Sequence, residues 1–132
     1  MARVFTQKEA KRLGLPGRKS IEIVSGEKGA GTVTLRLVEI PALEPGETPR
    51  GPHSHCDVEE CIFVLSGKGT TYADSGEYPL QEGDTIVLPA GEKHVTRNTG
   101  NRPLRLLCFF PAADIATRTQ EHTPASKDLP KR

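Results

Sequence analysis

Short runs of alternating apolar and polar residues, separated by glycine, proline and other turn formers, occupy most of this chain. Alternation with a period of two is typical of half-buried β-strands, since successive side chains point to opposite faces. Turn residues at nearly every junction favour antiparallel neighbours and leave no room for the long crossovers of a parallel sheet. The pattern predicts an all-β sandwich or barrel of about eight antiparallel strands: Ser20–Ser25, Thr32–Ile40, Glu60–Ser66, Thr70–Asp74, Glu77–Gln81, Thr85–Leu88, His94–Asn98 and Leu104–Phe110.

The two ends of the chain do not follow this pattern. Thr6 and Glu9 have the spacing of a capping box, which predicts a short helix over residues 7–13 that Gly14 ends. Residues 113–132 are polar and have little to bury, so they are expected to be peripheral or disordered unless a partner subunit holds them. We therefore divide the chain into a lead-in (1–19), a barrel (20–112) and a polar tail (113–132).

Composition supports a single small β domain and excludes several classes of protein. The 132 residues include 13 glycines and 11 prolines, which end or kink helices and so exclude a helical bundle. No apolar run approaches the roughly 18 residues that a membrane-spanning helix needs. A formal net charge of +1 gives no field that would indicate binding to nucleic acid or anionic lipid.

The three cysteines indicate a reducing environment. Cys56, Cys61 and Cys108 include no CxxC pair, so neither a disulfide framework nor a thiolate zinc site is expected. The N-terminus has no apolar stretch of signal-peptide length, and the expected location is cytoplasmic. Cys61 and Cys108 lie in apolar strands and are expected in the core. Cys56 is either a reactive thiol or an exposed loop residue without a role.

Three of the four histidines lie in two segments that also concentrate glycine, proline and glutamate. His53 and His55 are two residues apart, so in an extended chain their side chains project to the same side, roughly 6 to 7 Å from each other. Two imidazoles placed in this way can share one metal ion, a carboxylate from the next strand would complete the set, and His94 would close it from another hairpin. Such nitrogen and oxygen ligands suit Mn, Fe, Co, Ni, Cu or Zn rather than Ca or Mg.

Both histidine segments resemble the motifs of the cupin superfamily, in its small single-domain microbial form. The first family motif is a glycine, then HxH, a glutamate after three or four residues, and a glycine after six more. The second is G-x5-P-x-G-x2-H-x3-N. One departure is that six residues separate Gly46 from His53, where the family usually has five, which a slightly longer loop explains. The matching residues are His53, His55, Glu60 and Gly67 in the first segment, and Gly83, Pro89, Gly91, His94 and Asn98 in the second.

The resemblance implies a double-stranded β-helix, or jelly-roll barrel, with a metal ion inside. Carried over position by position, the implied ligands are His53, His55, Glu60 and His94. Glu59 competes with Glu60, but the spacing to Gly67 favours Glu60 and would turn Glu59 out of the barrel. The alternative to a metal site is a row of half-exposed polar residues, or a barrel that has lost its metal.

Fewer signals describe the surroundings of the implied site. Thr96 and Asn98 have the parity of His94 and are candidates to hold its ring, although ordinary strand or turn roles would explain them as well. Arg36 either reaches into the cavity to hold an acidic substrate through a bidentate pair or lies on the surface, which is the commoner position for an arginine. His122, in the tail, is expected to be exposed.

The resemblance spans several activities and does not choose among them. Four protein ligands on a six-coordinate ion leave two positions, which permits lyase or isomerase chemistry, or dioxygenase chemistry if the ion is iron. The first hypothesis is therefore a metal-dependent enzyme acting on a small polar metabolite such as an organic acid, a sugar derivative or a diketone. The alternatives are a non-catalytic module that binds or senses a sugar or organic acid, and a structural metal site. A homodimer is expected from the resemblance.

Overall fold

The computed structural model describes residues 1–122, which form two antiparallel sheets that face each other. The first sheet has the strand order β1-β2-β3-β10-β5-β8, and the second has the order β11-β4-β9-β6-β7. The strands are β1 (Lys11–Leu13), β2 (Lys19–Val24), β3 (Thr34–Ile40), β4 (His53–His55), β5 (Glu60–Ser66), β6 (Lys68–Ala73), β7 (Gly76–Gln81), β8 (Thr85–Leu88), β9 (His94–Asn98), β10 (Leu104–Phe110) and β11 (Thr119–Glu121). Three short 3-10 turns accompany them: Gln7–Glu9, Gly26–Lys28 and Ala116–Arg118.

The predicted all-β fold is confirmed. Each of the eight runs identified by alternation overlaps a strand, and every pairing in both sheets is antiparallel. No helix among residues 1–122 is long and apolar enough to cross a membrane.

The core lies between the two sheets, and strands β3, β10 and β5 supply most of it. Along β10 the residues that face inwards are buried and alternate with partly or fully exposed ones, as the period of two requires. The buried apolar residues of these three strands are Val38, Ile40, Ile62, Val64, Leu104, Leu106, Cys108 and Phe110. Towards one end of the sheets the inner face becomes polar, with Arg36 on β3 and Glu60 on β5, and the site described below lies there.

The turn between β5 and β6 requires glycine. Gly67 has φ +86°, a left-handed conformation that side chains disfavour, and a Cβ added there would lie 2.7 Å from the Pro103 carbonyl oxygen. The tight turn allows β5, which carries Glu60, to continue directly into β6 of the opposite sheet.

The prediction of an N-terminal helix over residues 7–13 is wrong. Only Gln7–Glu9 form a 3-10 turn, Thr6 makes no capping hydrogen bond, and the chain is already extended at Ala10. Lys11–Leu13 instead form β1, which pairs with β2 at the edge of the first sheet. A helix this short has few internal hydrogen bonds, whereas an available strand edge satisfies the backbone at once.

The polar tail is only in part as expected. Residues 123–132 lie outside the described part of the chain, but residues 119–121 form β11, which pairs with β4 in the second sheet. The backbone N–H of Cys56 also donates to the Arg118 carbonyl (2.7 Å), and that of His122 to the Pro52 carbonyl (2.9 Å). The C-terminal segment therefore holds β4 in the second sheet. On its other side, β4 pairs with β9 through one pair of residues, His53 and His94.

Candidate metal centre

Three imidazoles and one carboxylate converge at the polar end of the space between the sheets. Strand β4 brings His53 and His55 to the same face of the second sheet, and His94 opens the neighbouring strand β9. Glu60, the first residue of β5, faces them from the opposite sheet. One candidate ligand atom from each of the four lies within 4.8 Å of the others, and all four side chains are buried.

The contacts inside this cluster are close. The Nε2 atoms of His55 and His94 lie 3.2 Å and 3.0 Å from the same carboxylate oxygen, Oε1 of Glu60. The His53 ring lies against both of the other rings, with centroids 4.9 Å from His55 and 4.4 Å from His94. The four residues predicted as ligands are thus brought together.

Backbone geometry fixes the proton on the His94 ring. Its Nδ1 lies 2.9 Å from the Glu92 carbonyl oxygen. Since a carbonyl only accepts, Nδ1 carries the hydrogen and donates it. In the neutral ring, Nε2 then presents an unprotonated lone pair towards Glu60.

Thr119, from the C-terminal segment, fixes the position of the proton on the His55 ring. Thr119 Oγ1 donates to the Ile115 carbonyl (2.7 Å), so its one hydroxyl hydrogen is already used. The same oxygen lies 2.9 Å from His55 Nδ1 and must accept a hydrogen bond from it. His55 Nε2 is therefore also unprotonated in the neutral ring, and it is a buried atom with no hydrogen-bond partner among the described residues.

This donor set fits a divalent metal ion. Two imidazole lone pairs and a carboxylate oxygen that face one another without hydrogens repel, and a shared cation converts the repulsion into coordination. The alternative is protonation of a ring, which burial opposes at His53. Burial and the neighbouring His94 lower the pKa of His53 from 6.5 to about 2.

A cavity of about 290 Å³ opens directly onto the four residues. Its inner wall is largely apolar and includes Ile62, Leu106 and Phe110, while Arg36 and Thr96 add polar atoms. This volume equals roughly ten water molecules at about 30 Å³ each, which suits a small metabolite. Apolar walls also lower the local dielectric constant and so strengthen charge interactions at the centre.

Arg36 lies in the wall of this cavity and is 9% exposed, so the structure places it inside rather than on the surface. Its Nε donates to Glu22 Oε2 at 2.9 Å, and its guanidinium stands 5.6 Å from the centre of the Phe110 ring. The Glu22 carboxylate thus neutralises the charge of Arg36 within the cavity wall.

Thr96 and Asn98, the candidates to hold the His94 ring, form hydrogen bonds with other partners. Asn98 donates through Nδ2 to the carbonyls of Ile40 (3.0 Å) and Arg102 (2.7 Å), which ties β9 to its neighbours. Thr96 shares a hydrogen bond of 2.6 Å with Thr71. Both side chains meet nearer partners, and the backbone of Glu92 orients the ring instead.

Glu59 and His122, the remaining acidic and histidine residues considered from the sequence, lie outside the cluster of four candidate ligands. Glu59 is exposed while Glu60 is buried, as the spacing to Gly67 predicts. His122 was expected to be exposed, but it is partly buried, and its Nε2 lies 2.9 Å from the Ser54 hydroxyl on β4.

The three thiols are all free. Cys108 is buried in the cavity wall, where burial and Glu60 raise its pKa well above the ordinary value. Cys56 is exposed, and a hydrogen bond to Asp57 raises its pKa too, so neither thiol is activated as a nucleophile. Cys61 faces outwards from β5 and is only half-buried, contrary to the expected core position.

Sequence reasoning missed three residues of the site. Thr119 comes from the segment expected to be a loose tail. Arg18 precedes β2 and Arg50 precedes β4, and both line the cavity. The local excess of basic residues in the first 20 positions, which the motifs do not explain, could have drawn attention to Arg18. Arg50 and Thr119 lie outside that segment, and no local signal marks them.

Comparison with known proteins agrees with the fold. A family profile described as "Cupin domain" matches residues 40–110. The oxalate-binding protein of Thermotoga maritima is 33% identical over 75 residues, which is 57% of this chain and 61% of that protein. Acireductone dioxygenase 1 of Vitis vinifera is 40% identical over 86 residues, or 58% of this chain and 44% of that protein. The chain thus spans about half the length of these curated relatives.

Among solved structures, the nucleoside dehydratase Pac13 of Streptomyces superposes with a TM-score of 0.76 over 96% of both chains, at 14% sequence identity. That likeness concerns the fold.

Proposed function

The chain belongs to the cupin family, and from this premise we propose that it is a metal-dependent enzyme that acts on a small organic acid. The observation that carries the proposal is the convergence of His55 Nε2 and His94 Nε2 on Glu60 Oε1, at 3.2 Å and 3.0 Å, in the lining of a cavity. His53 is the fourth ligand. A bound divalent ion supplies Lewis acidity there, or oxygen activation if it is iron.

The protein's own residues bind and orient in this proposal. Hydrogen bonds from Nδ1 to the Glu92 carbonyl and to Thr119 hold two imidazoles in one tautomer and one orientation. Phe110 packs against the His55 ring, with centroids 4.9 Å apart, and helps to keep water from the buried side. Four protein ligands leave two positions of a six-coordinate ion for the substrate, or for the substrate and a second small molecule.

Among the candidate substrates, an organic acid has the strongest support. The cavity is small and arginine side chains line it, which disfavours a neutral sugar derivative or diketone relative to an anion. The oxalate-binding protein of Thermotoga maritima, one of the relatives, is named for a small organic acid.

Metal analysis tests the centre first. Protein purified without an affinity tag or chelators is expected to contain close to one transition metal ion per chain, of the group Fe, Mn, Co, Ni, Cu and Zn. His94→Ala is expected to lose the ion. If the variant loses the ion but stays folded, a purely structural metal site is ruled out, and an empty wild-type site would refute the ligand assignment.

Dioxygenase chemistry and lyase or isomerase chemistry differ in their use of oxygen. Incubation of the metal-loaded protein with a panel of keto and hydroxy acids, while oxygen uptake is recorded and products are separated by mass spectrometry, distinguishes them. Product with oxygen uptake assigns a dioxygenase, and product without uptake assigns a lyase or isomerase. The identity of the metal narrows the panel, because iron points to the first and zinc to the second.

A non-catalytic ligand-binding role is the second candidate, and one observation favours it. Among the described residues, Glu121 at the exposed rim is the one carboxylate that lines the cavity besides the candidate ligand Glu60. The raised pKa of Cys108 keeps its thiol protonated. Groups placed for proton transfer are therefore scarce. Recovery of unchanged organic acids that bind at micromolar concentrations would support this role over catalysis.

We also propose that the protein is a homodimer, formed through the outer face of the first sheet. Three residues of this face are exposed by 39% or more: Phe63, Val87 and Phe109. They belong to two apolar rows on this face. One row crosses four strands and consists of Ile21, Leu37, Leu107 and Phe63, and the other crosses five strands and consists of Val24, Leu35, Phe109, Cys61 and Val87.

A second copy is the occupant that fits this face. The apolar rows end beside a charged row in which Glu39 lies 3.9 Å from both Lys19 and Arg105, an apolar centre with a polar rim. A twofold contact lets the same patch cover itself. Light scattering is expected to show a dimer that Phe109→Lys converts to a monomer, and a monomeric wild type would refute the proposed dimer.

A cytoplasmic location, proposed from the three free thiols, is tested by cell fractionation.

A further inference from the structure

The cavity has a positively charged rim. Its floor, with the candidate metal ligands, is buried, whereas seven of its lining residues are half-buried or exposed: Leu13, Leu15, Arg18, Arg50, Ala116, Thr119 and Glu121. Two of these seven are arginines, and they come from segments far apart in the sequence. Any molecule that reaches the metal centre through this rim passes them.

The two arginines lie close to each other and to the metal centre. A Cβ added at Gly17 would lie 3.2 Å from Cδ of Arg50, so the Arg50 stem packs across the residue next to Arg18. Arg50 Nη1 lies 3.4 Å from Nδ1 of His53. Arg18 donates through Nη1 to the Pro16 carbonyl (2.7 Å), which holds its guanidinium at the rim.

Neither arginine has a salt-bridge partner. Arg36 is neutralised by Glu22, but no ion pair within 4.0 Å among residues 1–122 involves Arg18 or Arg50. Glu121 at the rim acts on both through space, and Glu60 does so from the floor. A divalent ion at the floor would more than offset the charge of Glu60 and leave the cavity with a surplus of positive charge.

The two guanidinium groups bring like charges into a partly buried cavity, and burial lowers the pKa of Arg18. Two like charges held together in a partly dehydrated site are stabilised by an anion between them.

A buried hydroxyl gives an independent indication of a ligand. Ser20 lies on β2, two residues after Arg18, is 3% exposed and lines the same cavity. Its Oγ has no hydrogen-bond partner within the described residues. Since buried polar atoms are nearly always paired in folded proteins, this oxygen is expected to meet a bound molecule.

We propose that Arg18, Arg50 and Ser20 form an anion-binding subsite for a second acidic group, a carboxylate or a phosphate, on a substrate whose first acidic group lies at the metal centre. The substrate is thus a small diacid rather than a simple monocarboxylic acid. The inference rests on the proposed function, since it needs the metal centre as the other anchor. Arginine forks hold carboxylate and phosphate oxygens through paired charged hydrogen bonds, and the serine hydroxyl adds a third donor.

Affinity measurements on the metal-loaded wild-type protein test the subsite. The protein is loaded with Co(II), whose visible spectrum reports ligands that reach the metal, and titrated calorimetrically with acetate, malonate, succinate, phosphoglycolate and inorganic phosphate. At least one of the three two-headed acids is expected to bind 30-fold or more tightly than acetate and to change the spectrum. Preference for malonate or succinate identifies a carboxylate in the subsite, and preference for phosphoglycolate identifies a phosphate.

Charge-removing variants assign the preference to the arginines. Arg18→Gln and Arg50→Gln are each expected to weaken binding of the preferred diacid by about 10- to 100-fold, with little effect on acetate. Arg12→Gln, an equal charge change at an exposed position of the same segment, is expected to leave both affinities within twofold. Arg50→Lys keeps the charge and is expected to restore part of the affinity if removal of the guanidinium harms folding.

The outcomes separate the subsite from the proposed function. If the wild type takes up Co(II) but binds acetate and every diacid equally, or if both glutamine variants bind the diacid as the wild type does, the subsite is refuted while the metal centre stands. If the wild type takes up no metal, the proposed function fails and the diacid inference fails with it.

Discussion

Replacement of Thr119 by valine tests whether the C-terminal strand sets the tautomer of a metal ligand. Valine has nearly the shape of threonine, so β11 can still pair with β4, but the hydroxyl that accepts from His55 Nδ1 (2.9 Å) and donates to Ile115 (2.7 Å) is lost. The Nδ1–H group is then buried without an acceptor, which costs about 1–3 kcal/mol. Partners of this kind are worth about 10- to 100-fold in metal affinity. We therefore expect Thr119→Val to bind Zn(II) or Mn(II) about 10- to 100-fold more weakly than the wild type.

Competition with a chromogenic chelator at pH 7.5 measures this loss. Thr117→Val is the matched control, because Thr117 makes the same kind of hydroxyl contact with exposed Asp114 (2.7 Å) and does not touch the histidines. Thr119→Ser keeps the hydroxyl and is expected to restore most of the affinity. Metal affinity of Thr119→Val within twofold of the wild type, with the fold intact by circular dichroism, would show that the tautomer of His55 is set without this residue.

Three further predictions concern the ligands and one turn. Glu60→Gln is expected to weaken metal binding by at least about 100-fold, while Glu59→Gln, the same change at an exposed neighbour, stays within twofold by the same chelator assay. Because the folded-state pKa of His53 is lowered, the metal-free protein should lose stability as pH falls below 6.5, by up to about 1.4 kcal/mol per unit, and urea unfolding should find a shallower loss in His53→Gln. Gly67→Ala should destabilise by about 1 kcal/mol more than Gly83→Ala in the same assay, since both have positive φ but no atom lies within 4 Å of the Gly83 position. The three expectations would be contradicted by equal metal affinities of Glu60→Gln and Glu59→Gln, by the same pH dependence of stability in His53→Gln and the wild type, and by equal destabilisation in Gly67→Ala and Gly83→Ala.

The parts of the fold that alternation predicted are those in which a long strand has one buried face. In β10 and β5 the inward positions are apolar for most of their length, so a period of two is visible in the sequence. Strands β1, β4 and β11 have three residues each, too few for any period to appear. They exist because neighbouring strands offer unpaired backbone groups, which is a property of the assembled sheet and not of the segment itself.

The candidate site divides in the same way. The resemblance of two short segments to the cupin motifs implied His53, His55, Glu60 and His94 as ligands, and each of these residues is placed by the strand that carries it. Thr119 meets His55 across 64 positions of the sequence. Contacts of this range follow from the path of the whole chain, and no local pattern encodes them.

The four candidate ligands are divided between the two sheets, and this has a consequence for the kinetics of unfolding. Three belong to the second sheet and Glu60 belongs to the first, so a coordinated ion would be a cross-link that forms only after the sheets have docked. An interaction that is absent from the transition state slows unfolding without accelerating folding. Metal loading is therefore expected to lengthen the lifetime of the folded protein, in proportion to metal affinity, while the refolding rate stays that of the metal-free chain.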